Sequence, residues 1–163
     1  MRIIRDRKKR TISLDQTRYA EKVIKQFGQE NCKPVSVPLP TGYNPRPHST
    51  QTQSNATLRS RHQSVIGSLL YIMLGTRPDI AFAVIKMSQF SSNPTEEHLQ
   101  KALYIVRYLS SSPDLCIMYS GTGNHDGLCA YSETDWAGDV ETSRSTTGYA
   151  IFLGNGIVSW LSR

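Results

Sequence analysis

Two acidic side chains that follow an apolar, strand-like run are the residues of this chain best suited to metal chemistry. The run is residues 128–131, and Glu133 and Asp135 come directly after it. Carboxylates brought together in a protein can hold two Mg²⁺ ions, one activating water and one stabilising the leaving oxygen. Beyond Asp135 the sequence offers Asp139 and Glu141, both in a loop-like stretch. These acids therefore predict only part of a metal site.

A basic cluster near the N-terminus is the second candidate. Residues 1–14 have strand character at both ends, which predicts a β-hairpin, and its tip carries Arg7, Lys8, Lys9 and Arg10. Residues 1–61 hold 13 Lys and Arg against four Asp and Glu, a net charge of +9, while the remainder is net −3. Basic surfaces bind nucleic acids because each neutralised phosphate releases counterions. A solvated hairpin tip without a ligand would have the same composition, so charge alone leaves both interpretations open.

A third candidate lies on a helix predicted for residues 59–74. Gln63, Gly67 and Tyr71 stand at positions i, i+4 and i+8, on the face opposite an apolar stripe. A glycine inside a helix costs about 1 kcal/mol relative to alanine, which indicates that something approaches the backbone closely at Gly67. Either a tightly packed neighbouring helix or the backbone and groove of a nucleic acid would account for it.

The elements that position these residues follow from local patterns. Asp15 is predicted to cap a helix that runs to residue 27, with Gly28 as its stop. Asn93 as N-cap and Pro94 at the first position predict another helix to residue 110, with His98 on its partly exposed boundary. Asp79 is predicted in the first turn of a helix ending near residue 90, and five prolines make residues 29–58 a loose, extended linker.

Short strands follow the helical part. Residues 115–119, 128–131, 149–153 and 157–160 are strand-like, and Gly154-Asn155-Gly156 predicts a hairpin turn. Their order predicts one antiparallel opening sheet of a mixed domain.

Global composition excludes two classes of protein. No run of 18 apolar residues exists, so a membrane span is not expected, and the charged N-terminus is unlike a signal peptide. Three separated cysteines, Cys32, Cys116 and Cys129, indicate free thiols in a reducing compartment. We therefore expect an intracellular protein, cytoplasmic or nuclear and not secreted.

Four segments together resemble the Pol polyprotein of copia-type (Pseudoviridae) retrotransposons. They are Gly-Ser-Leu-Leu-Tyr at 67–71, Thr-Arg-Pro-Asp-Ile at 76–80, the spaced Pro94, His98 and Tyr108-Leu109, and Tyr-Ser-Glu-Thr-Asp-Trp-Ala-Gly-Asp at 131–139. The resemblance covers essentially the whole chain. It implies the C-terminal part of reverse transcriptase, thumb and connection, followed by the start of RNase H.

The resemblance also implies which acids would be catalytic. The first catalytic aspartate of the family falls on Glu133, and Asp135 matches the second aspartate. Glutamate is one methylene longer and displaces its carboxylate by about 1–1.5 Å, against a tolerance of about 0.5 Å in a preorganised site. The remaining RNase H acids of the family are expected beyond Arg163, and the polymerase aspartate pair before Met1. We therefore expect no catalysis and no cofactor in the isolated chain, although the parent family uses Mg²⁺.

The resulting expectation is an α+β fold: an N-terminal β-hairpin, a thumb-like bundle of about four helices, then the first antiparallel strands of an incomplete RNase H-like sheet. The expected divisions are 1–28 for the hairpin and first helix, 29–58 for the linker, 59–112 for the thumb and connection, and 113–163 for the strands. The expected partners are an RNA–DNA hybrid or duplex, bound weakly and without sequence preference, and the rest of the Pol polyprotein. Two alternatives are an RNase H subdomain that is active only with the missing segments and a non-catalytic helical interaction protein.

Overall fold

Helices and antiparallel strands alternate in blocks along this chain. The computed structural model describes residues 1–46, 53–121, 127–134 and 145–163. Within those ranges the two sheets have three strands each, which confirms the α+β class. No helix among these residues is long and apolar enough to cross a membrane. The helices, with a short 3₁₀ turn at Pro78–Ile80, are α1 (Thr17–Gln26), α2 (Ala56–Gly75), α3 (Ala81–Ser88) and α4 (Glu96–Ser111).

The first sheet contains the predicted hairpin and one strand from much later in the chain. Its strands are β1 (Arg2–Asp6), β2 (Thr11–Asp15) and β3 (Ile117–Ser120), in the order β1-β2-β3. The prediction that β3 belongs with the following strands is wrong, because β3 pairs with β2 in antiparallel register. The hairpin is thus extended to a three-stranded sheet by β3, a strand that follows α4 in the sequence.

The second sheet is formed by consecutive strands, as predicted. It comprises β4 (Leu128–Thr134), β5 (Thr147–Leu153) and β6 (Gly156–Ser162), all antiparallel in sequence order. Gly154 adopts a φ of +62° in the turn between β5 and β6, a conformation that glycine reaches without strain. This confirms the predicted hairpin turn.

The four helices enclose one apolar core. The apolar stripe of α2 is largely buried, and Ile24 and Val23 of α1 pack into the same cluster. Fully covered aliphatic side chains of this kind each stabilise a fold by about 1.5–3 kcal/mol. The side chains with no exposed surface include Val23, Val65, Leu69, Ile72, Ile80, Val84, Met87, Ala102, Ile105, Val106 and Leu109.

Three helix starts differ from the prediction by one to three residues, and α2 begins at Ala56 rather than at residue 59, with Asn55 as its N-cap. The N-cap of α1 is Gln16 rather than Asp15. Asp15 is the last residue of β2, and its carboxylate accepts hydrogen bonds from the Thr17 amide and hydroxyl. The N-cap of α4 is Thr95, not Asn93. Its hydroxyl accepts from the His98 amide, and His98 Nδ1 accepts from the Thr95 amide in a capping box. His98 is buried, so its prediction as a boundary residue is wrong.

The proline-rich segment after α1 is held against α4 where the structure describes it. The Arg107 guanidinium donates two hydrogen bonds to the Lys33 carbonyl, at 2.6 and 3.1 Å, and the Ser111 hydroxyl donates to the Val35 carbonyl. The Lys101 ammonium lies 4.7 Å from the centre of the Tyr43 ring. Residues 29–46 lack regular structure, as predicted, but these contacts differ from the loose connection that was expected.

Candidate nucleic-acid interface

The basic hairpin tip has a backbone conformation held from within the hairpin. Asp6 Oδ1 accepts hydrogen bonds from the amides of Lys8 and Lys9 at 2.9 and 3.0 Å. An acid that binds the amides two and three residues on closes a tight turn without glycine or asparagine in the loop. The side chains at all four tip positions are exposed. Four cations are therefore presented to solvent from an ordered loop.

Arg10 closes the turn in the left-handed region, with a φ of +54°. Few residues other than glycine adopt this conformation, because the Cβ atom approaches the following carbonyl. The Arg10 carbonyl accepts a 2.7 Å hydrogen bond from the Gly121 amide, and the Arg10 side chain lies over Gly121. The end of β3 therefore supports the hairpin tip, a contact that the sequence did not indicate.

The polar face predicted on α2 exists, and its centre is bare. Gly67 is exposed, and a Cβ atom added there would meet no described atom within 4 Å. The neighbouring-helix explanation for this glycine thus finds no support among the described residues. The space in front of Gly67 is open to a molecule from outside the described chain.

The two ends of that face also make contacts inside the chain. Gln63 Nε2 donates a 2.8 Å hydrogen bond to the Ser91 carbonyl and so holds the connection between α3 and α4. The Tyr71 ring packs edge-on against Tyr19, with the ring centres 4.8 Å apart, while about half of Tyr71 remains exposed. Gln63 and Tyr71 therefore support the fold, whatever else they bind.

The hairpin tip and the α2 face are not adjacent. Gln16, at the base of β2, donates from Nε2 to the Tyr71 carbonyl at 3.2 Å. The tip lies at the other end of β2, and a five-residue strand spans about 17 Å. From Tyr71 the face continues along α2 for eight residues to Gln63, about 12 Å at 1.5 Å per residue. The structure thus presents two separate surfaces.

A row of basic side chains on α1 adds a third surface, which the sequence analysis did not identify. Arg18, Lys22 and Lys25 are exposed and stand at i, i+4 and i+7, so they lie on one side of the helix. The helix packs against α2 beside the Gly67 face, where Tyr19 meets Tyr71. The helical spacing of these three cations in the sequence could have predicted this basic surface. Glu21 is exposed on the same helix and reduces its net charge.

The predicted carboxylate site is described only in part. Glu133 is exposed on β4, where it faces Gly148 of β5, and Asp135, Asp139 and Glu141 lie outside the described residues. The described residues contain no group of three or more His, Cys, Asp or Glu side chains suited to a metal ion. Glu133 is the one acid among the described residues that line the adjoining cleft. A single described carboxylate does not fit a pair of Mg²⁺ ions.

An ion pair between the buried Arg77 and the more exposed Asp79 lies in the loop after α2, and Arg77 also joins this loop to the end of α4. The Arg77 guanidinium binds both carboxylate oxygens of Asp79 at 2.8–3.1 Å and donates to the carbonyl and hydroxyl of Ser112. Burial, together with the nearby Asp79 carboxylate, raises the pKa of the Tyr108 hydroxyl. Bidentate arginine–carboxylate pairs fix geometry strongly. Arg77 and Asp79 therefore have a structural role.

This α+β chain presents an ordered basic hairpin and a bare helix face, and similarity to known proteins gives its family. The chain is 36% identical over 168 residues to the retrovirus-related Pol polyprotein from transposon TNT 1-94 of Nicotiana tabacum, covering 100% of this chain and 12% of the relative. It is 39% identical over 153 residues to that from transposon RE1 of Arabidopsis thaliana, covering 93% and 10%. The chain belongs to the retrovirus-related Pol polyproteins of copia-type transposons, as predicted.

The matched region is a small part of those relatives. The chain spans about a tenth of the length of the two polyproteins. A shorter relative, the secreted RxLR effector protein 161 of Plasmopara viticola, is 44% identical over 100 residues, which cover 61% of this chain and 70% of the relative. No protein-family model matches the chain. No solved structure matches it either.

Proposed function

We propose that this chain is the thumb and connection part of a copia-type reverse transcriptase, followed by the first RNase H strands, and that it binds RNA–DNA hybrids or other duplexes without catalysing a reaction. The observation that carries the proposal is the hairpin tip, where Arg7, Lys8, Lys9 and Arg10 are exposed on a turn closed by Asp6. Binding through phosphates is weak at physiological salt and does not select sequence.

The bare face of α2 supports contact with the groove of a duplex. Gly67 leaves room for a sugar or base edge, and the exposed half of Tyr71 offers an aromatic surface. The basic row Arg18, Lys22 and Lys25 lies on the helix that packs beside this face. A duplex lying along α2 would place its backbone near these cations. We include the row in the proposed interface.

We propose that the chain does not catalyse a reaction because its acidic residues do not match those of the parent enzymes. Glu133 replaces the aspartate that the family resemblance implies, and the full sequence contains no Asp-Asp pair for polymerisation. The proposed parent activity requires Mg²⁺ and further segments of the polyprotein. We also propose an intracellular location, because the three cysteines are free.

The test is binding of the purified chain to a fluorescent RNA–DNA hybrid over a series of salt concentrations. We expect affinity to fall steeply with salt. Replacing Lys8, Lys9 and Arg10 with Ala should reduce the slope of log affinity against log salt by about 2 to 3, since each lost phosphate contact removes about 0.7–0.9. A control with Lys33, Arg46 and Arg163 replaced by Ala loses the same charge at exposed positions elsewhere.

Three outcomes separate the possibilities. An equal loss in both triple variants would show that net charge, not the hairpin, is responsible. No binding by folded protein at low salt would contradict the proposal and favour the helical interaction protein. Cleavage of the hybrid after addition of Mg²⁺ and the missing polyprotein segments, lost in Glu133→Gln, would instead support the RNase H alternative.

A further inference from the structure

A cleft between α3 and the second sheet has no role in the proposed function. Its volume is about 640 Å³, within the range of about 300–1,000 Å³ that is usual for ligand sites. One wall is the α3 residue Phe82, which is 54% exposed. The opposite wall is the face of the sheet that is turned towards the helices.

Strand register arranges that wall in two rows. Tyr131, Ala150 and Trp160 stand opposite one another across β4, β5 and β6. Two residues along each strand, on the same face, the next row contains Glu133, Gly148 and Ser162. The rows are about 7 Å apart, two steps of about 3.4 Å. An aromatic row is thus followed by a row with a single acid.

The small residues of β5 leave the middle of the cleft open. Ala150 separates the rings of Tyr131 and Trp160, and Gly148 stands beside Glu133. The indole N–H of Trp160 donates a 3.2 Å hydrogen bond to the Met73 carbonyl, which fixes the ring against the end of α2. The cleft is therefore an apolar space with aromatic sides and a carboxylate at one end.

We propose that this cleft binds an arginine side chain of a partner polypeptide. Glu133 is the one charged residue among the described residues that line it. A guanidinium stacks on aromatic rings and pairs with a carboxylate through two parallel hydrogen bonds, and it is less strongly hydrated than an ammonium. A phosphate would be repelled by Glu133, so this surface is complementary to a basic polypeptide and not to nucleic acid.

The experiment compares two small probes on the full chain. N-acetyl-arginine methylamide carries the guanidinium, and N-acetyl-citrulline methylamide has nearly the same shape without the charge. Binding is followed by the indole N–H signal of Trp160 in ¹H–¹⁵N NMR, assigned with a Trp136→Phe variant. We expect a saturable shift with the arginine probe and about two- to fivefold weaker binding of the citrulline probe, the upper part of the range for one exposed ion pair.

Two variants test the named residues. Glu133→Gln should weaken binding of the arginine probe about two- to fivefold, while Glu21→Gln, which removes an exposed carboxylate from α1, should leave that binding unchanged. Phe82→Leu keeps an apolar wall but removes the ring face, and it should weaken binding by several fold. Equal binding of the two probes, an equal effect of the two glutamate variants, or the absence of a saturable shift would each overturn the proposal.

Discussion

The ring of Tyr119 occupies the space that a side chain at Gly156 would need. The Tyr119 hydroxyl also donates a 2.6 Å hydrogen bond to the Ile157 carbonyl, and the Ser120 amide donates to Asn155 Oδ1. The start of β6 thus rests directly on β3. Together with the bond from Trp160 to Met73, this contact attaches the second sheet to the rest of the protein.

Gly156→Ala is expected to weaken that attachment. The added methyl group would overlap the Tyr119 ring, and overpacking of this kind costs about 1–3 kcal/mol. The free energy of unfolding from urea titration, followed by Trp fluorescence, measures the effect. Gly148→Ala is the control, because its methyl group would meet only the Leu161 carbonyl at an ordinary 3.6 Å. Equal stability of the two variants would contradict the role given to Tyr119.

Two glycines of α2 are expected to respond in opposite directions to alanine. Gly67→Ala should raise the free energy of unfolding by about 1 kcal/mol, because alanine is the better helix former and no described atom lies nearby. Gly75→Ala should lower it, since the methyl group would overlap the Gln16 amide, which bonds to the Tyr71 carbonyl and the Thr76 hydroxyl. Thermal or urea unfolding of both variants measures these changes. Stabilisation by Gly75→Ala would contradict the prediction and show that the Gln16 side chain moves away freely.

Gly67→Ala also tests the proposed interface independently of stability. If a duplex approaches the bare face of α2, the added methyl group should weaken hybrid binding although the protein becomes more stable. Unchanged binding would remove the α2 face from the interface and leave the hairpin tip as its main part.

Arg10→Gly separates stability from binding at the hairpin tip. Glycine adopts the positive φ of this position without the strain of about 1–2 kcal/mol that other residues incur, so the variant should unfold at higher urea concentration. It should nevertheless bind the hybrid less tightly, and its slope of log affinity against log salt should be smaller by about 0.7–0.9, the contribution of one phosphate contact. Arg7→Ala removes the same charge without this backbone change, so its binding should fall without any gain in stability. A stability gain in both variants would contradict the assigned strain.

Acid is expected to destabilise the fold through His62. This side chain is fully buried on α2, its ring nitrogens have no hydrogen-bond partner among the described residues, and burial with nearby His98 lowers its pKa to about 4. The ordinary pKa of histidine is 6.5. Between about pH 6.5 and pH 4 the unfolded chain therefore binds a proton at His62 that the folded chain does not bind. Stability should therefore fall by about 3 kcal/mol as the pH drops from about 7 to about 4.

Urea titrations at several pH values measure this loss, and His62→Leu is the matched variant. Leucine removes the titrating group and two unpaired polar atoms, so the variant should be as stable as the original chain at pH 7 and less sensitive to acid. The remaining acid sensitivity would come from groups such as Asp15, whose pKa is lowered by its bond to Arg2. The same pH dependence in both proteins would contradict the assignment to His62.

The sequence predicted the elements that arise from local patterns. The apolar stripe of α2, the hairpin at the N-terminus and the turn at Gly154 were all visible, because helix and strand periodicity and turn chemistry act over a few residues. The same patterns identified the basic tip and the unusual Gly67. Family membership also followed from short strings of residues, and similarity to known proteins confirmed it.

Tertiary structure decided what depends on residues distant in sequence. The pairing of β3 with β2 joins segments about a hundred residues apart, and strand character alone does not select a partner. The burial of His98 depends on Phe90, whose ring stacks on it at 4.1 Å, and the open space at Gly67 depends on where α1 and α4 pack. The amino-acid sequence thus determined the elements and the family, whereas packing between distant segments determined which side chains are free to bind a partner.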